Sequence, residues 1–348
     1  MRYSVTSFLR GIEDLKQYIE LLSLESELLS NEANATGDKV SSDLVLLQNH
    51  IIKSGSGKKR FDYNSIVVSL YGFFEQFIET ILKDFAIALN KIIPSYDLVP
   101  EVVVKNHIEL SMSLIKRIEQ NRYKGGISQS EVISNLHSCL GNVGKYQINA
   151  DAFSQHTANF RMEVIDESFS RLGVYNISKK IALDEKFNNY LCILFVVSNV
   201  KTIDCFFHIN DLADRRNEVA HGSTSTLLAT EILLEYVIFC ENFGLALYNV
   251  LLKEIIPYEV NHSAITLGKP IKVFNNAIAG IAIINIEIKV GDILVSKTDK
   301  GAYVSGEIAE IQVNGVSHPS VNPNYKLEVA LRVNYRLKEN HTLYLISK

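Results

Sequence analysis

Cysteine is scarce in this chain and follows no pattern. The four thiols, Cys139, Cys192, Cys205 and Cys240, include no CxxC pair, and each sits inside an apolar stretch. That excludes a disulfide scaffold and a cysteine-ligated zinc site, and leaves reduced thiols buried in a core. Long apolar runs are missing too. The longest, YLCILFVV at 190–197, falls far short of the ~20 residues a membrane-crossing helix needs. The opening MRYSVTSFLRGIEDLKQ lacks the apolar centre of a secretory leader. The expected location is the cytoplasm, with no membrane partner. Nor does either sign of charge dominate: with a formal net charge of -4, any nucleic-acid binding must come from a local patch rather than from the field of the whole molecule. No internal repeat is visible. What remains is an ordinary folded composition, 47% hydrophobic and 21% charged, which excludes disorder and fibrous classes, and 348 residues leave room for about two domains.

The apolar pattern changes period along the chain. Up to about 257 it is helical. Phe8, Ile12, Leu15, Ile19 and Leu22 alternate spacings of four and three, the seam of a heptad, so this first helix requires a partner helix in its own chain or another. After a polar interruption and KSGSGKKR, whose Gly and Ser content predicts a loop, NSIVVSLYGFFEQFIETILKDFAIALNKIIP opens on an Asn cap and closes at Pro94. Ile66, Leu70, Phe74, Phe77, Ile81 and Phe85 form its buried stripe. Further helices are predicted over 100–140, with Ser128 or Ser130 as a cap, and over TANFRMEVIDESFSRLGV, ended by Gly173. One or two more are predicted over 186–221, and a last long helix over 227–254, capped by STST and terminated by Pro257. From about 265 the period is two. Short β-branched runs such as AIAGIAIINIEI, GDILVSK and YKLEVALRV alternate with Gly, Asn, Asp and Pro turns, the pattern of a small antiparallel barrel or sandwich. The expected fold is α+β in two domains: a helical extension over 1–60, an all-α bundle over 61–257 and an all-β barrel over 265–348.

The stretch RRNEVAHG at 215–222 carries the chemistry. Arg216 and His221 are five residues apart, so on a regular helix their side chains point ~140° away from each other. One site can use both if the helix loosens at Gly222, or if a two-fold dimer brings the same patch from each chain into one cleft. Two Arg and two His suit cleavage of a phosphodiester beside a ribose 2′-OH. One His takes the 2′-OH proton, the other protonates the leaving 5′ oxygen, and the guanidinium matches the non-bridging phosphate oxygens. No metal and no cofactor is required. Asn217 can orient either the phosphate or the imidazole. Taken alone, a His at a helix end is a cap or a dipole contact.

RNEVAHG resembles the R-x4-H signature of the HEPN superfamily, including the polar residue directly after the Arg, here Asn217. SLYGFFEQFIETIL, TANFRMEVIDESFSRLGV and the capped helix after HGSTST resemble the flanking helices of the branch grouped with RiboL-PSP proteins. The resemblance covers about 61–255. It implies an α-helical bundle, a homodimer with a shared cleft, and metal-independent endoribonuclease activity that leaves a 2′,3′-cyclic phosphate, in proteins that often act as toxins or in defence against phage. Arg216, Asn217 and His221 are then the catalytic set, RNA the substrate, and an inhibitor or antitoxin protein a possible partner. The chain departs from the toxins controlled by a nucleotidyltransferase, which carry a Tyr two residues after the His; Ser223 stands there. The rival reading is a silent HEPN module that binds RNA, a nucleotide or a partner protein through the same cleft.

Other residues are weighed as substrate contacts. Lys58, Lys59 and Arg60 in the basic loop can touch an RNA backbone, although GSGKK lacks the spacing of a phosphate loop. Arg215 is expected to pair with Asp211 four residues earlier. His156, Asn159 and Arg161 precede a helix and can line the cleft, with capping and surface pairing as the plainer role. Glu75 and Glu79 share a helix face with core aromatics, and nothing marks them for acid/base work. The β region, KVGDILVSKTDKGAYVSGEIAEIQVNG with KLEVALRVNYRLKENHTLYL, resembles the second, barrel domain of translation elongation factors, which implies contact with tRNA; its plainer role is a structural or partner-binding module.

Overall fold

A computed structural model describes residues 1–32, 42–118, 126–141, 144–198, 204–222 and 226–347. The chain is helical up to 262 and antiparallel β beyond it, the α+β order that the change of period predicts. It divides into two compact units, residues 1–87 with 100–250, and residues 88–99 with 251–348.

In the first unit, α1 (Arg2–Glu32) finds its partners within the same chain. Phe8, Ile12, Leu15 and Ile19 are buried, and the Phe8 ring stacks on Phe77 at 4.4 Å between centroids. Phe77 belongs to α2 (Ser42–Ile92), whose predicted stripe from Ile66 to Phe85 is buried along its length. The other side of the seam is α10 (Thr230–His262), where Gly244 lets the helices approach: a Cβ there would lie 2.6 Å from Phe8 Cε1. Polar contacts flank this seam, from Lys16 to Glu241 at 2.6 Å and from the Tyr18 hydroxyl to Asp62 at 2.9 Å. By length and composition the 49–92 part of α2 is apolar enough to cross a membrane, yet half of its most apolar window is buried inside the protein, as in a core helix.

Two expectations are corrected. KSGSGKKR is helical, with the irregularity confined to Gly55, whose φ of 17° and ψ of -100° kink α2. Low Gly and Ser propensity is a weak prior against anchored flanks, and Lys58 is anchored by Glu25 and Asp62 at 2.8 and 2.9 Å. The Asn cap expected at position 64 therefore lies inside the helix. Pro257 does not end α10 either: the helix runs on to His262, where Ser263 and Ala264 donate to the Glu259 carbonyl at 2.8 and 2.7 Å. A proline near a helix end costs one backbone hydrogen bond and a kink, and the buried Ile255 and Ile256 beside it favour continuing the turn. Of the STST cap, only Thr226 is among the described residues.

The remaining helices of this unit are α3 (Glu101–Arg117), α4 (Gln129–Gly141), α5 (Ala150–Phe153), α6 (Met162–Ser170), α7 (Ile177–Ala182), α8 (Glu185–Leu194) and α9 (Phe207–Ala220). The Ser128 hydroxyl accepts the Glu131 N–H at 3.1 Å, as a cap should. The buried Asn149 joins α3, α4 and α5: its N–H donates to His107 Nε2 at 2.9 Å, and its amide donates to Ser111 and to the Val132 carbonyl. Burial lowers the His107 pKa to about 4, so the ring is a neutral acceptor. Gly173, at φ 81°, closes α6 as predicted, with the Val174 N–H reaching back to the Phe169 carbonyl at 3.0 Å.

The β strands of the second unit are β1 (Ile265–Gly268), β2 (Lys272–Phe274), β3 (Ile278–Ile283), β4 (Ile288–Lys289), β5 (Ile293–Lys297), β6 (Tyr303–Glu307), β7 (Glu310–Val313), β8 (Val316–His318), β9 (Ser320–Val321), β10 (Leu327–Arg332) and β11 (Thr342–Ile346). They pair antiparallel in three sheets, β1-β11-β5-β6, β2-β3-β10-β7-β8 and β4-β9. Alternation sets the inward face: Ala279, Ile281 and Ile283 of β3 pack with Val329 and Leu331 of β10 and Leu343 and Leu345 of β11 in one apolar core.

Phe8 is the side chain on which the docking of α1 depends. Phe8→Ala is expected to cost about 3 kcal/mol in denaturant unfolding, the usual loss for a buried aromatic, whereas removal of the exposed Tyr3 side chain on the same helix leaves the midpoint in place.

Candidate active site

Helix α9 carries the motif, and two of its own acids, Asp211 and Asp214, join it to its neighbours. Asp211 accepts Arg215 Nε at 2.5 Å and the Tyr236 hydroxyl at 2.5 Å. Arg215 also donates to the Tyr63 hydroxyl at 3.1 Å and to the Thr226 carbonyl at 3.4 Å. Burial works against its charge, but the hydrogen bonds with Tyr63 and Asp211 outweigh it and raise its pKa further. Burial, and then the bond to Asp211, raise that of Tyr236. The expected Arg215–Asp211 pair is thus part of a half-buried tie between α2, α9 and α10.

Arg161 is engaged likewise. Its guanidinium grips Asp214 with two nitrogens and reaches the Asn210 carbonyl at 3.3 Å. The bond to Arg161 holds the Asp214 carboxyl below its usual range. Asn210 accepts the Met162 N–H at 3.0 Å, so the start of α6 is fixed to α9.

Arg216 differs from both. Its guanidinium lies over the Tyr71 ring at 5.5 Å and meets only the Asn217 side-chain oxygen, at 3.5 Å; among the described residues it has no carboxylate partner. Asn217 is positioned in turn by Asn159, whose amide donates to the same oxygen at 2.6 Å. Tyr71 is buried, and its hydroxyl accepts the Phe160 N–H at 2.9 Å. Burial, reinforced by the nearby Glu75, pushes its pKa up to about 12 despite Arg216, so it is a neutral platform for the cation.

His221 caps the helix. Its N–H donates to the Asn217 carbonyl at 3.0 Å, and Gly222 at φ 67° turns the chain away, a conformation that favours glycine. His221 is exposed, and among the described residues its ring has no hydrogen-bond partner. Ser223 lies outside the described residues.

The structure brings Arg216, Asn217, Asn159 and Tyr71 together. It does not gather the basic residues of α2 with them: Lys58 is paired with Glu25 and Asp62, while Lys59 and Arg60 are exposed on the helix. An open cavity of about 640 Å³ lies instead among Leu22, Ile52, Lys59, Tyr63, Leu227 and Leu233, and none of Arg216, Asn217 and His221 lines it. Two contacts were not foreseen from the sequence, which passed over Tyr71 and named His156, Glu75 and Glu79 without joining them. Tyr71 underlies Arg216, and Glu75 and Glu79 face His156 Nε2, at 3.6 and 2.9 Å. Tyr71, Glu75 and Glu79 follow one another at four-residue steps, which puts them on one stripe of α2; the histidine they meet is far away in sequence, so spacing alone does not reveal it.

A family model described as RiboL-PSP-HEPN matches residues 38–253. The chain belongs to the RiboL-PSP-HEPN family. The HEPN match spans most of the helical unit, contains the motif and stops short of the β strands. No curated protein matches the chain.

The two adjacent arginines should separate in stability measurements. Arg215→Met strands Asp211 in a half-buried tie and is expected to cost about 1–3 kcal/mol in urea unfolding, while Arg216→Met, which gives up one cation–π interaction, costs under about 1 kcal/mol.

Proposed function

We propose that this HEPN protein is an endoribonuclease that needs no metal for its chemistry. The observation that supports this reading is the state of Arg216. Beside two arginines consumed by Asp211 and Asp214, it is kept over a neutral ring and oriented by Asn217, with no anion paired to it among the described residues. A guanidinium in that state matches the non-bridging oxygens of a phosphodiester and favours the extra negative charge of the transition state. HEPN domains are often ribonucleases, in line with this chemistry.

In the proposed reaction His221 removes the proton from a ribose 2′-OH. The oxygen attacks the adjacent phosphorus, and the bond from phosphorus to the 5′ oxygen breaks. His221 of the partner subunit gives the leaving oxygen its proton, and the product strand ends in a 2′,3′-cyclic phosphate. Two copies are invoked because Arg216 turns toward α2 while His221 projects into solvent past the helix end, an arrangement that suits a cleft completed by a second chain. Asn159 enters as a positioning residue through Asn217. Arg161 and Arg215 support the scaffold. The β unit selects the RNA, tRNA among the candidates, or a partner such as an inhibitor protein, and the cell-level role is that of a toxin or phage-defence effector.

Purified protein is expected to cut RNA in excess EDTA and to leave cyclic-phosphate ends. His221→Ala and Arg216→Ala should each slow the cut by about a hundredfold or more. Cleavage that survives both substitutions contradicts the reading, and RNA binding without any cleavage favours the silent module.

A further inference from the structure

The cluster of His156, Glu75 and Glu79 takes no part in the proposed cleavage. His156 Nδ1 lies 2.8 Å from the Ala158 carbonyl oxygen. A carbonyl has no proton to give, so Nδ1 carries the hydrogen. Nε2 then faces two carboxylate oxygens, Glu79 Oε1 at 2.9 Å and Glu75 Oε1 at 3.6 Å. Nε2 is thereby turned to the two acids, the atom and direction in which a histidine so tied offers its lone pair to a metal ion.

The cluster has the composition of a cation site: one imidazole nitrogen and two carboxylate oxygens, each able to offer a ligand atom, lie within 4.8 Å of one another. Metal–ligand bonds of ~2.1 Å imply ligand-to-ligand edges of roughly 3.0 to 3.4 Å between octahedral and tetrahedral angles, and the two imidazole-to-carboxylate edges, 2.9 and 3.6 Å, lie on either side of that range. An Nδ1–H tied to a backbone carbonyl with Nε2 toward the ion is the arrangement that metal-bound histidines keep. The ring is also fixed against Phe160, with centroids 4.1 Å apart. The His156 side chain is 7% exposed, while Glu75 at 29% leaves one side open for entry and for water ligands.

We propose that Glu75, Glu79 and His156 bind one divalent transition ion of the zinc class, for which a mixed imidazole and carboxylate set is suited. The bound ion ties the segment before α6 to α2. That segment carries Asn159, which holds Asn217, and Arg161, which holds Asp214. The ion therefore acts on the motif by positioning, independently of whether the motif cuts RNA.

The test uses the full chain, stripped with a chelator, dialysed, and titrated with Zn²⁺ by calorimetry. One ion per chain is expected, with a rise in melting temperature. His156→Gln and Glu75→Gln should each weaken binding at least about tenfold, and the half-exposed Glu75→Gln should keep the ion-free melting temperature of the unmodified protein. Absence of stoichiometric uptake overturns the proposal and leaves an ordinary His–Glu contact. Uptake that survives both substitutions, or a Co²⁺ spectrum with thiolate charge-transfer bands, overturns it by placing the ion elsewhere.

Discussion

Two carboxylates on the same helix, Asp211 one turn before the motif and Asp214 directly before it, decide what Arg216 is left to do. Each takes an arginine: Arg215 from the motif itself and Arg161 from the segment before α6. The first pair is half-buried and shared with two tyrosine hydroxyls, so it ties α9 to α2 and α10. The second fixes the start of α6 to the same helix. With both acids occupied, Arg216 has a ring beneath it and an amide beside it, and its charge is balanced by neither. A guanidinium with no carboxylate partner among the described residues is suited to an anion from outside, and RNA supplies one at every nucleotide.

The placement of Tyr71 extends this logic into the core. The stripe from Ile66 to Phe85 fixes the rotation of α2, and with it the face that carries Tyr71, Glu75 and Glu79. A residue too buried to ionise sits under the cation, and two acids a turn and two turns further meet His156 instead of Arg216.

Much of this was legible in the sequence where local chemistry decides. Periodicity located the stripe of α2, the seam of α1, Gly173 and the change to strands, because each depends on residues within a few turns. The pair of Arg215 with Asp211 followed from four-residue spacing. The failures were of two kinds. At Gly55 and Pro257 local propensity was overruled by anchored flanks, since a kink absorbs what one residue disfavours. At Tyr71 and His156 the contact joins residues far apart in sequence, which no spacing rule connects. Surface pairing of Arg161 was expected, but its partner Asp214 lies far off in sequence, as does the Glu25 that meets Lys58; the Lys58–Asp62 pair was within reach of the four-residue rule and was not read.

The most direct measurement is the salt dependence of binding to an RNA whose 2′-hydroxyls are methylated, so that it binds without being cut. Removing one cation that neutralises a phosphate should flatten the plot of log affinity against log salt by about 0.7 for single strands. Arg216→Ala is expected to flatten it by that amount per site, with Arg161→Ala leaving it unchanged. An unchanged slope in Arg216→Ala, or a flatter one in Arg161→Ala instead, contradicts the assignment of Arg216 as the cation left free for the phosphate.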